Sequence, residues 1–162
     1  MATIHEAYLR SALFGLQDGI VSTTGVVVGI SAGVDDRTVV ILAALVAVSV
    51  EASSMAAGQY TSEKAAHELG RNDHSDSLLL GALIMFCSYF LAGMVPIVPT
   101  VLLGQSLARY VSVGAAFVAL FVVGYVKGKI VDTAPLRSAT ELLVIGGIAT
   151  LIGLAVGFLL KV

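Results

Sequence analysis

Glu51, Met55 and Gln59 follow one another at four-residue spacing within LAALVAVSVEASSMAAGQY, a stretch otherwise made of apolar and small residues. Residues at i, i+4 and i+8 lie along one side of a helix, so they would form a stripe of carboxylate, thioether and carboxamide. A second acid, Asp18, stands in LFGLQDGIVSTTGVVVGI, with Ser22 one turn on and Thr23 and Thr24 adding hydroxyl oxygens. Carboxylate and amide oxygens suit divalent cations generally, and a thioether adds preference for softer transition metals over Mg2+ or Ca2+. Both stretches are long enough to cross a bilayer, where a charge near the centre costs at least ~2.5–3.5 kcal/mol. Two acids and a sulfur retained there suggest a route for a metal cation. The candidate metal ligands are Asp18, Glu51, Met55 and Gln59. The bland alternatives are interhelical hydrogen bonding for the acids, core filling for Met55, and a solvated or capping role for Gln59.

The elements that must position these residues are membrane helices. Hydrophobic residues make up 57 % of the 162-residue chain and charged residues 12 %, against about 25 % charged in an ordinary soluble domain. The mean hydropathy is +0.97. Five spans, each near the ~20 apolar residues a membrane helix needs, run over about 11–32, 39–60, 78–98, 102–126 and 139–160. They predict an all-α membrane protein with a single five-helix transmembrane domain. The breaks between spans carry turn chemistry. Gly33 to Arg37 is a polar turn with Thr38 as the expected N-cap of the second helix, Pro96 and Pro99 should end or kink the third, and Pro135 precedes the fifth. The segment 61–77 is the long polar stretch, and its first part, SEKAAHELG, should prolong the second helix beyond the membrane surface as far as Gly70. The start, MATIHEAYLR, lacks the basic character of a cleavable leader.

Lysine and arginine set the orientation. Arg10, Lys64, Arg71, Lys127, Lys129 and Arg137 fall on the side of the N-terminus, against Arg37, Arg109 and Lys161 opposite. The N-terminus and the polar segment are therefore expected in the cytoplasm. A net charge of −2 gives no basic footprint for nucleic acid. The lone Cys87 reads as a small core or lipid-facing residue, and no phosphate-binding loop, intramembrane histidine or paired cysteine suggests an enzyme. Glycine pairs at four-residue spacing (Gly25 with Gly29, Gly124 with Gly128, Gly153 with Gly157) indicate close helix packing. Exposing Asp18 to lipid would be costly, so a second copy should cover it in a two-fold dimer centred on the first two helices. With no lysine or arginine inside either of those spans, each acid should hold a proton until metal displaces it, which is antiport in outline.

The motifs FGLQDGIVSTTGVVVG, SMAAGQYTSEKAAHEL, MVPIVP, GYVKGKI and LVIGGIATLIGLAVG occur, in this order, along nearly the whole chain. In this the sequence resembles the vacuolar iron transporter family. The resemblance implies a five-helix dimer that moves Fe2+, and often Mn2+, out of the cytosol in exchange for protons. It also implies that Asp18, Glu51 and Met55 line a path at the subunit interface. The membrane would be the cell membrane in a prokaryote and a vacuolar-type membrane in a eukaryote, and no cofactor is implied. Two features depart from the family pattern. Gln59 stands where many members have an acid, and the interval SEKAAHELGRNDHSDS is too short for the glutamate-rich metal-binding domain that others insert there. His67, Glu68, Asp73, His74 and Asp76 in that interval, like His5 and Glu6, read most simply as solvated residues. Transport of Zn2+ or Co2+, or a non-transporting accessory role, remain the competing expectations.

Overall fold

The computed structural model describes residues 6–70 and 77–160. Five helices account for them: α1 (Glu6–Gly33), α2 (Arg37–Glu68), α3 (Leu78–Leu102), α4 (Gln105–Ile130) and α5 (Pro135–Leu159). Each is long and apolar enough to cross a membrane. The helices extend beyond the apolar runs that announced them, because hydropathy marks the lipid-facing length whereas backbone hydrogen bonding continues into water. α2 shows this most clearly. Its 32 residues rise about 48 Å, against a hydrocarbon layer of about 30 Å, so its last turns stand clear of the membrane.

The ends are capped locally. Asp36, not Thr38, is the N-cap of α2: its carboxylate accepts from the backbone N–H of Thr38 at 2.8 Å and of Val39 at 3.4 Å. An acid two residues upstream reaches the first free N–H groups, so the helix begins at Arg37. At the other end Gly70 has φ +63°, the left-handed geometry that lets the chain leave a helix. Pro135 occupies the first turn of α5, where its missing N–H costs nothing. Pro96 and Pro99 do not end α3, which runs past both to Leu102. Carbonyls there find side-chain donors: Ser112 Oγ bonds Pro96 O at 2.8 Å, Arg37 Nε bonds Thr100 O at 2.9 Å, and Arg37 Nη2 bonds Val101 O. In lipid such donors decide whether exposed backbone is tolerated.

α1 is the hub and packs against all four other helices. Its buried residues are mostly small, including Ser11, Gly15, Gly19, Thr23, Ser31 and Gly33, which allows neighbours to approach its backbone. On α3 the approach centres on Gly19, where a Cβ would strike the Tyr89 carbonyl. On α5 the two glycine pairs of the sequence meet each other, and a Cβ on Gly29 would lie 2.8 Å from the Gly153 carbonyl oxygen. The pair Gly124 and Gly128 serves α4 in the same way against Ala139 and Pro135 of α5. α2 lies at the edge of the bundle. It buries a single i+4 line, Val40, Ala44, Val48 and Ala52, and leaves Leu42, Val46 and Val50 more than half exposed.

Candidate functional site

Glu51 is half-buried on α2, just beyond that buried line. One turn of α3 lies opposite and supplies Tyr89, 1 % exposed, whose hydroxyl donates to Glu51 Oε2 at 2.5 Å. The same phenol oxygen lies against Ser22 Oγ of α1, whose single O–H is shared between it and the Asp18 backbone carbonyl 2.8 Å away. Three helices are thus tied through one phenol. The Asp18 side chain is half-buried and within electrostatic reach of Glu51. Met55 packs against the apolar cluster of Val27, Ala44, Val48, Ala52 and Ile97 in which Tyr89 is embedded. Asp18, Ser22, Glu51 and Met55 accordingly gather around a single buried tyrosine.

This cluster sits at the head of a groove. α1 forms its floor, with Ser22, Gly25, Gly29 and Gly33 along one stripe, α5 forms one wall, and Glu51 closes the end. The groove encloses about 570 Å³. Its lining is apolar apart from Glu51 and Ser22 and a backbone bared by the missing side chains of the glycines. An acid and a hydroxyl at the head of an otherwise apolar channel can bind a cation and lower its desolvation cost there, while the apolar length offers no competing site.

Other expected ligands lie elsewhere. Thr23 and Thr24 are buried: Thr23 Oγ1 faces Gly93 of α3 and has no hydrogen-bond partner, and Thr24 Oγ1 returns to the Ile20 carbonyl at 2.5 Å. Gln59 is set apart from Glu51. Its amide Nε2 donates to Glu63 Oε1 at 3.3 Å in a small cleft between the start of α1, the start of α3 and the overhanging part of α2. His67 lies in the prolonged part of α2 as expected, but half-buried in the same cleft and not fully solvated. Asp73, His74, Asp76 and His5 lie outside the described residues. Among the described residues no three His, Cys, Asp or Glu side chains converge on a point, so one chain offers two carboxylates, a hydroxyl and a sulfur.

Tyr89 is the residue that reasoning along the first two spans overlooked. The available signal was a phenol in the middle of an apolar span, where an O–H must find a partner within the protein. Glu63 and His67 carried a signal too, since they continue the four-residue spacing of Glu51, Met55 and Gln59.

Comparison with known proteins agrees with this architecture. The VIT family model matches residues 9–78 and 65–158. A protein of Methanocaldococcus jannaschii, of uncharacterised function, is 32 % identical over 145 residues, covering 77 % of this chain and 75 % of that protein. Vacuolar iron transporter 1 of rice is 36 % identical over 70 residues, and that of Arabidopsis thaliana 38 % over 73. These matches take in 43 % and 44 % of this chain, but only 28 % and 29 % of the plant transporters. With its five apolar helices and a family model matching nearly its whole length, this multi-pass integral membrane protein belongs to the VIT family.

Proposed function

We propose that the protein moves a divalent transition metal, Fe2+ first and Mn2+ second, out of the cytosol across a membrane in exchange for protons. The observation that carries the reading is that Tyr89 holds Glu51 and Ser22 at the head of the groove, with Asp18 within electrostatic reach of Glu51. The plant relatives named as vacuolar iron transporters favour iron as the cargo. Glu51 and Asp18 supply the charge, Ser22 a neutral oxygen and Met55 a soft donor that discriminates against Mg2+ and Ca2+. No lysine or arginine lies between Arg10 and Arg37 or between Arg37 and Lys64. The metal-free acids therefore take up protons as their compensation, and incoming metal displaces them.

In this reading the N-terminus is cytoplasmic and two copies pair across the groove. A lone chain leaves Asp18 half-buried and Glu51 at the end of an open apolar groove, an arrangement lipid does not favour. A second copy related by a two-fold axis covers it and doubles the carboxylates to four, enough for a dication with protons to spare. The decisive experiment is flux of Fe2+ and of competing metals into liposomes holding the purified protein, with internal pH followed. Metal uptake accompanied by proton movement is the expected result. The Tyr89 bond would also suit acids that merely fix helix packing, and in that case the purified protein would move no metal. Cysteines at Ser22 that fail to crosslink two chains would end the dimer.

A further inference from the structure

We propose that Glu63 and His67, with the carboxamide of Gln59, bind a divalent transition-metal cation at the mouth of the bundle, and that Arg10 stands in for that cation when none is bound. The three residues are successive rungs at 59, 63 and 67 on α2. Each rung advances about 6 Å and turns about 40° around the helix, so three in a row still face one side. All are half-buried, and with Tyr8 and Ser11 of α1 and Ser77, the N-cap of α3, they line a cleft of about 10 Å³. A space of that size admits about one water-sized body.

Glu63 is the unusual member. Its side chain is 12 % exposed, whereas those of Lys64 and Glu68 beside it are 54 % and 67 % exposed. A carboxylate so enclosed needs a positive partner. Arg10, reaching across from α1, is one, and the Gln59 amide adds a donor. The Arg10 side chain is itself 66 % exposed, so releasing it to water costs little. A dication entering the cleft replaces a single charge by a double one at Glu63. His67 at i+4 adds an imidazole nitrogen from the same helix face, and half a turn of the Gln59 amide presents its carbonyl oxygen. One carboxylate, one imidazole and one amide oxygen form a borderline donor set that suits Fe2+, Mn2+ or Co2+ better than Ca2+.

The onward passage of this metal to Glu51 rests on the proposed transport function; its binding does not. The two are separated by measuring Co2+ binding, through its visible absorption, to full-length Asp18→Ala/Glu51→Ala protein purified in detergent. Saturable binding should persist there. Within that background His67→Ala or Glu63→Gln should weaken it by about tenfold or more, since even an outer-shell partner is worth that much. Arg10→Gln, which removes the competitor and keeps an uncharged hydrogen-bonding side chain, should tighten it. Unchanged Co2+ affinity in both His67→Ala and Glu63→Gln, or weaker binding in Arg10→Gln, would overturn the site. Co2+ binding that follows this pattern, together with no metal flux from the parent protein in liposomes, would leave the mouth site standing and remove the transport reading alone.

Discussion

The groove beside α1 and the cleft at its start are opposite solutions to placing acids in a membrane bundle. The groove is wide, about 570 Å³, apolar, and shaped by glycines whose absent side chains bare the backbone. The cleft is about 10 Å³ and lined mostly by polar side chains, one of which, Glu63, is paired with Arg10 of α1. Glu51 stands at the head of the first with a neutral phenol as its partner; Glu63 sits in the second with a guanidinium. The chain therefore neutralises its outer acid with an internal cation and leaves its inner acid without one. An acid partnered by a cation is ready to exchange it for another cation, while an acid partnered by a phenol can accept either a proton or a metal.

The sharpest way to break the comparison is to remove the inner acids. Glu51→Ala and Asp18→Ala should each reduce metal flux in liposomes to near background. The protein should still be recovered folded, because deleting an acid near mid-membrane also removes an insertion penalty of ~2.5–3.5 kcal/mol. Flux at the parental rate in Asp18→Ala would dismiss the groove as the path.

The glycine seam between α1 and α5 is tested by a matched pair. A Cβ on Gly157 would strike the Gly29 carbonyl and come within 3.0 Å of Ala32 Cβ, whereas one on Gly147 meets nothing within 4 Å. Gly157→Ala should lower stability in detergent by about 1–3 kcal/mol through overpacking, and Gly147→Ala should not. Equal melting temperatures for the two variants would mean that the α1–α5 seam is looser than described.

Tyr89→Phe asks whether the phenol matters for cargo and not only for packing. The change keeps the ring that fills the core and deletes the hydroxyl that meets both Glu51 and Ser22; the bond to the carboxylate alone is worth about 1.5–3 kcal/mol. We expect KM for Fe2+ to rise about tenfold or more, the equivalent of 1.4 kcal/mol, with a smaller change in maximal rate. A fall in rate at constant KM would assign Tyr89 to helix packing instead.

How far these features could be read in advance depended on the range of the interaction. Five helices were legible because a lipid-facing span declares itself by composition; Asp18, Glu51 and Met55 drew notice because acids and a sulfur stand out in such spans. Helix starts were less so: Asp36 and Thr38 are both good caps, and only backbone geometry chooses between them. Tyr89 was hidden because nothing in a sequence says which turn of α3 will face Glu51. The glycine pairs were visible, but not that Gly25 and Gly29 would meet Gly153 and Gly157. Glu63 and His67 were masked by their place at a helix end, where charge usually means solvent. The overhang of α2 alongside α1 and α3 changed that meaning.

Met55 gives the finest discrimination. It adjoins the cluster around Tyr89, one turn from Glu51, and in the proposed site it would add a neutral sulfur to oxygen donors. Met55→Leu preserves volume, so stability should change by less than about 1.5 kcal/mol. What changes is softness: the variant should lose affinity for Fe2+ more than for the harder Mn2+, which prefers carboxylate and water. The expected shift in the Fe2+ to Mn2+ preference is modest, because the acids supply most of the attraction and sulfur only biases it. Competition flux with both metals present measures this ratio directly and is insensitive to how much protein is active. A ratio equal to that of the parent would return Met55 to the apolar core and leave the oxygen donors alone to select the cargo.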